Sequence, residues 1–214
     1  MGKIKIPKSA PSLDMTPMVD LAFLLVTFFM LTAKFRVNEA VPITPPPSHS
    51  EKILPENTLQ VTIDTAGRVF YNIDGQDVRR NLLMKMIDKY KLTGVSEADV
   101  KRFSVMSEFG MPVNQLLPYI RGGEKERLQM DKTTPGIPMD SVNNQLADWI
   151  FYGWNEKQRF QQTNNIPKDK WCRISIKADG QTNYKAIKRV FKIFQDQDKN
   201  TFALITDMKQ EQTK

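Results

Sequence analysis

From Leu13 to Phe35 the chain reads LDMTPMVDLAFLLVTFFMLTAKF, a nearly continuous apolar run with Asp20 set inside its first third. A helix from Pro17 to Lys34, at about 1.5 Å per residue, would reach roughly 27 Å against a hydrocarbon core of about 30 Å. A single transmembrane helix is therefore expected over residues 14–36. Thr16 reads as its N-cap and Pro17 as its first helical residue, where the missing N–H costs nothing. Lys34 and Arg36 close the run with charges that suit the far headgroups. Asp20 is the anomaly, because a charged Asp deep in a membrane helix costs about 2.5–3.5 kcal/mol on insertion scales. Helical spacing lines up Thr16, Asp20 and Thr27, with Phe23 and Leu24 between them, as a polar seam on an apolar helix. Two readings stand side by side. Either the carboxyl carries protons or ions, or it is a near-terminal carboxylate favoured by the helix dipole and nothing more.

The flanks give an orientation. Lys3, Lys5 and Lys8 precede the run with no acid before Asp14, which favours a cytoplasmic N-terminus for the basic tail of residues 1–13. A cleaved signal peptide is the rival reading, but Asp20 would interrupt its apolar core and Leu31 and Ala33 make a poor cleavage site. The 214 residues carry a net charge of +7, spread diffusely among alternating acids and bases. That diffuse balance reads as a solvated surface, with cell-wall polymer or anionic lipid as possible contacts and no nucleic-acid partner expected. A single cysteine, Cys172, excludes an internal disulfide framework, and a single histidine, His49, excludes a multi-histidine metal site.

Residues 37–57 hold Pro42, Pro45, Pro46, Pro47 and Pro55. Such a segment cannot propagate a helix and is expected to be a semi-rigid spacer. Folded structure is expected to begin at residue 58. Leu59, Val61 and Ile63 alternate with polar residues, Ala66-Gly67 turns the chain, and Arg68 to Ile73 runs back as a hairpin. A helix from Val78 to Tyr90 follows. Far downstream come a strand at Cys172 to Lys177 and a helix with Tyr184, Ile187, Val190, Phe191 and Phe194 facing inward. A last strand is expected at Thr201 to Asp207. The expected fold is thus a transmembrane helix plus a small α+β domain, ββα…βαβ, built from residues 58–90 and 171–214.

Between the halves lies an insertion, residues 91–170, expected to be mainly helical. Val100, Phe103 and Met106 recur at helical spacing, as do Val142, Leu146, Trp149 and Ile150, with Asp140 or Ser141 as the cap. Gly110 to Gly136 reads as loop. Because the chain reads continuously from Tyr90 to Trp171, the insertion is expected to be removable without loss of the fold. Its aromatic residues are either core or a partner surface that includes Trp149, Tyr152 and Trp154.

The stretch DMTPMVD before the apolar run resembles the membrane helix of the ExbD/TolR family, with its Asn/Asp-x-Thr-Pro-x-x-Asp pattern. The stretch IKADGQTNYKAIKRVF resembles the second half of that family's periplasmic domain. The resemblance implies that Asp20 is the ion-translocating residue, with Asp14, Thr16 and Pro17 at the other motif positions. It further implies a chain in the bacterial inner membrane, crossing once, with its C-terminal domain in the periplasm. The expected role is that of an accessory subunit of a motor driven by the proton motive force. Expected partners are an ExbB/TolQ-like multi-span channel protein, a TonB/TolA-like force-transmitting protein and a second copy of the chain. A membrane-anchored scaffold that binds peptidoglycan or an envelope protein without ion coupling is the alternative. No Walker loop, metal spacing or nucleophile elbow is present, so neither enzymatic activity nor a cofactor is expected.

Overall fold

The structure, a computed structural model, describes residues 15–32, 40–45, 47–48, 57–205 and 207–208. The chain divides into two compact units, residues 1–37 and 38–214. The expected basic tail, Asp14, Lys34, Arg36 and His49 lie outside the described residues.

The first unit contains one helix, α1 (Thr16–Thr32), with every side chain exposed. The Met15 carbonyl accepts the Val19 N–H at 3.0 Å, so the helix starts one residue earlier than the expected Thr16 cap. Within α1 the threonines turn back onto the backbone. Thr27 Oγ1 donates to the Phe23 and Leu24 carbonyls at 2.9 and 3.0 Å, and Thr32 Oγ1 to the Phe28 carbonyl at 2.7 Å. A hydroxyl satisfied by its own helix can sit in apolar surroundings. The 17 residues of α1 span about 26 Å. No helix among the described residues is long and apolar enough to cross a membrane.

The second unit is built on a mixed sheet. After the short β1 (Pro47–Ser48), β2 (Thr58–Ile63) and β3 (Val69–Ile73) form the hairpin that the alternation anticipates. Gly67 takes φ +78 in the connecting loop, and the Asp64 carboxylate accepts both the Arg68 N–H (2.8 Å) and its Nε (2.6 Å). Next comes α2 (Gln76–Tyr90), which buries Val78, Leu82, Leu83 and Met86 on one face. The insertion then supplies α3 (Glu97–Val105), α4 (Leu116–Arg121), α5 (Glu124–Thr133) and α6 (Gln145–Thr163). The chain returns through β4 (Arg173–Ala178), α7 (Tyr184–Gln195), β5 (Phe202–Ile205) and β6 (Asp207–Met208). Strand order is β3-β2-β4-β5, with β2–β3 antiparallel and β2–β4 and β4–β5 parallel. The expected ββα…βαβ order, interrupted by helices, is therefore the order observed.

Four details depart from the sequence reading. Gly110 to Gly136 is not simply loop, since it contains α4, the whole of α5 and a 3₁₀ turn at Val113–Gln115. Val142 is fully exposed and precedes α6, whose cap is Asn144, accepting the Ala147 N–H at 3.1 Å, rather than Asp140 or Ser141. Tyr184 is 69% exposed, while Val190 and Phe194 are buried as expected, Ala186 and Ile193 join them, and Ile187 and Phe191 are half-buried against the core. The fourth concerns the proline-rich spacer. Thr44 donates its N–H to Asp179 Oδ2 (3.0 Å) and accepts the Gly180 N–H (3.1 Å), Pro45 is buried, and β1 pairs in parallel with β6. The described part of the spacer is thus held against the domain, because the Asp179–Gly180 turn offers it a carboxylate and a free N–H.

The largest departure is α6. It packs against β2, β3, α2 and α7, so a helix of the insertion lies on the sheet itself. Gly153 is the reason it can. A Cβ at that position would overlap the Tyr71 hydroxyl and sit 3.4 Å from Ile73 Cδ1. One hydrophobic cluster runs from Leu59, Val61, Ile174 and Ile176 of the sheet through Leu82 and Met86 to Phe103, Leu146, Trp149 and Ile150. The insertion also pairs with the outer edge of β3. Tyr71 and Phe109 exchange both backbone hydrogen bonds (2.8 and 3.1 Å), and the Ile137 N–H donates to the Val69 carbonyl at 3.0 Å.

Candidate functional site: the acidic helix and the aromatic layer

Asp20 sits one turn after Thr16 on α1, with Phe23 and Thr27 further along the same side. Met15, Thr16, Pro17, Val19, Asp20 and Phe23 line one shallow open recess. Among the described residues no side chain pairs with Asp20. The structure thus brings Thr16, Pro17 and Asp20 together. Thr27 is on the same side, but its proton is committed to its own backbone. Asp14 lies outside the described residues. The arrangement is a carboxyl on an apolar helix, available to a partner that could supply water or a polar lining.

The aromatic group divides on inspection. Trp149 is fully buried, with ring centroids 4.8 Å from Phe109 and 6.1 Å from both Phe103 and Tyr71. It belongs to the core, and the expectation that it contributes to a partner surface is corrected. Helical geometry explains why: positions 146, 149, 150 and 153 share the face that meets the sheet. Tyr152 and Trp154 are half-buried at the margin, Tyr152 beneath Lys89 Nζ (5.6 Å) and Trp154 beneath Lys199 Nζ (5.9 Å). Phe151, of the same aromatic cluster, is 47% exposed and stands edge-on to Tyr152. At this seam Asp148 ion-pairs with Lys89 and accepts the Tyr90 hydroxyl at 2.6 Å. Burial, reinforced by that carboxylate, pushes the Tyr90 phenol above its ordinary range.

Several ionisable groups tie the insertion to the sheet. Arg68, in the hairpin, donates Nη1 to the Asp131, Lys132 and Thr134 carbonyls at the C-terminal end of α5. The buried Lys157 reaches from α6 to the Asp74 carbonyl at 2.5 Å, and burial lowers its pKa. Burial also raises the Cys172 thiol to about 11, which leaves it a poor nucleophile at neutral pH. Among the described residues no group of three or more His, Cys, Asp or Glu could hold a metal ion.

Asp131 yields a pH prediction. It is 2% exposed and accepts the Tyr119 hydroxyl at 3.1 Å, and burial raises its pKa to about 6 despite Arg127 and Arg68 nearby. A raised carboxyl favours the protonated fold. Its contribution is full below the unfolded value near 3.9 and is lost as pH rises through about 6. Asp131→Asn, which keeps an acceptor for Tyr119, should therefore stabilise the protein above pH 6 by roughly 1–2 kcal/mol after solvent screening. Melting both proteins at pH 5 and pH 8 checks this. A stability gap that is the same at the two values would show that Asp131 does not titrate in this range.

The described residues thus form a carboxyl-bearing apolar helix followed by a ββα–βαβ domain with helices inserted between its halves. The chain belongs to the ExbD/TolR family. The family model for the biopolymer transport protein ExbD/TolR matches residues 7–136, more than half of the sequence. The match takes in α1, the hairpin and α2, and it ends within the insertion, before α6 and the βαβ half. Comparison with curated proteins and with solved structures gave no match. Membership implies an accessory, energy-transducing role in biopolymer transport. Proteins of this family are non-enzymatic, are typically associated with the inner membrane, and typically work with ExbB/TolQ and TonB/TolA.

Proposed function

We propose that this chain is the ion-coupled subunit of an inner-membrane motor driven by the proton motive force. In this reading the apolar segment 14–36 crosses the membrane once with its N-terminus in the cytoplasm. The domain of residues 58–90 and 171–214, with the 91–170 insertion packed into it, works in the periplasm. Asp20 gains and loses the proton that drives the cycle, and Asp14, Thr16, Pro17 and Thr27 form the polar seam around it. A multi-span ExbB/TolQ-like protein surrounds the helix, two copies of this chain share it, and a TonB/TolA-like protein receives the force. Tyr152 and Trp154, at the margin of the aromatic layer, are the candidates for contact with that receiver.

The observation that carries the proposal is Asp20 itself, the one ionisable side chain on the exposed, mainly apolar helix α1. An ion crossing a membrane releases about 2.3 kcal/mol per 100 mV, and a carboxyl that binds and releases it can couple that energy to movement. Purifying the tagged full chain from membranes in mild detergent tests the assembly. A multi-span protein should accompany it in fixed ratio, with or without Asp20→Asn. Recovery of the chain alone, or from the soluble fraction, would count against the motor.

A further inference from the structure

The outer face of α7 is a cationic stripe without acids. Lys185, Lys188, Arg189 and Lys192 fall at successive helical turns, all exposed, opposite the buried Ala186, Val190, Ile193 and Phe194. The helix contains no acidic residue. Among the described residues the stripe has a single ion pair, Arg189 with Asp140 at 3.7 Å, between side chains 63% and 75% exposed. Asp196 and Asp198 follow the helix at its far end. Asp179, ahead of it, spends its carboxylate on the Thr44 and Gln181 N–H groups. Tyr184, 69% exposed, stands at the head of the stripe. Such a ring is of the amphipathic kind that favours the headgroup layer of a bilayer.

The chain also limits how far this stripe can travel from α1. Thr44 is hydrogen-bonded at the Asp179–Gly180 turn, directly before α7. Between Thr32 and Thr44 the chain reaches at most about 40 Å even when fully extended.

We propose that the Lys185–Lys188–Arg189–Lys192 face of α7 docks on the anionic phospholipid surface of the membrane that holds α1. The inference rests on the proposed membrane anchoring. Each lysine or arginine close to an anionic surface multiplies the docked population by about fivefold. The attraction decays within a Debye length of about 8–10 Å at 0.1–0.15 M salt, so docking is reversed by salt. Docking of this kind holds the domain at the membrane in one orientation, with α7 facing the lipid.

The test places the full chain in nanodiscs of phosphatidylcholine alone or with about 30% phosphatidylglycerol, and compares amine labelling of individual lysines. Lys185, Lys188 and Lys192 should label at least about threefold more slowly in the anionic discs, and high salt should restore the rate. Lys85 and Lys101, exposed on α2 and α3, serve as references and should not change. The Lys188→Glu/Arg189→Glu variant should return Lys185 and Lys192 to the rate seen in neutral discs. Equal labelling in both lipids, or an equal slowing at Lys85 and Lys101, would overturn the docking proposal while leaving the anchor intact. A chain not retained in discs of either lipid would overturn the anchor, and the docking proposal with it.

Discussion

Asp20→Asn is expected to abolish energised function while the protein remains expressed, folded and bound to its channel partner. Asparagine nearly matches aspartate in shape but cannot bind and release a proton. If Asp20 were only a carboxylate near a helix start, the substitution would cost about 0.3–1 kcal/mol of helix stability and leave function unchanged. The two readings therefore differ by an all-or-none outcome. A growth or uptake assay that depends on outer-membrane energisation reads it, with co-purification of the partner confirming assembly. Full activity in the asparagine variant would remove ion coupling from the account and favour a scaffold. Thr27→Val makes a useful companion, since the Thr27 hydroxyl donates to its own helix at Phe23 and Leu24. As a supporting member of the seam that carries no proton itself, it should lower activity only partly, where Asp20→Asn abolishes it.

Excising residues 91–170 and bridging the gap with a Gly/Ser linker is expected to destroy the cooperative fold. The excision removes Phe103, Phe109, Leu146, Trp149 and Ile150, all nearly or fully buried in the cluster that covers the sheet. Burying each such side chain contributes about 1.5–3 kcal/mol, and five of them together rival the 5–15 kcal/mol that holds a typical domain. The excision also strips Tyr71 and Ile73 of their α6 cover and leaves the β3 edge open. The milder Trp149→Ala change should cost about 3–5 kcal/mol through lost burial and the cavity left behind. Circular dichroism and thermal melting of both variants decide the matter. A sharp melt from the excised protein, close to that of the parent, would show that the insertion is an appendage after all.

The residues that specify the sheet were legible because their signals are local. Leu59, Val61 and Ile63 alternate, Gly67 permits the loop, and Ile174 and Ile176 repeat the pattern in the strand that pairs with β2. Asp20 was legible for a related reason, since one carboxyl within an apolar run stands out without any knowledge of tertiary contacts. The role of α6 was not legible. Its apolar face is plain in the sequence, but that face would look the same whether it met the parent sheet or a private core. Gly153 was the available sign, since a glycine in mid-helix marks a close approach, here to Tyr71. The Thr44 attachment was hidden for the opposite reason. Proline content predicts an extended backbone, and an extended backbone is equally suited to solvent and to pairing with Asp179 and Gly180.

The strand-like pairing of Phe109 and Ile137 with β3 bears on what this protein can become at high local concentration. A sheet with two bare edges can add neighbours on both sides and grow without limit, which is the route to fibres. Here one side is already occupied by the chain's own backbone, and β5 on the other side pairs only with β4 among the described residues. Among the described residues, strand addition to this four-stranded sheet is therefore open at β5 alone. Contact between two such edges is self-terminating, so through this sheet crowded copies would stop at pairs.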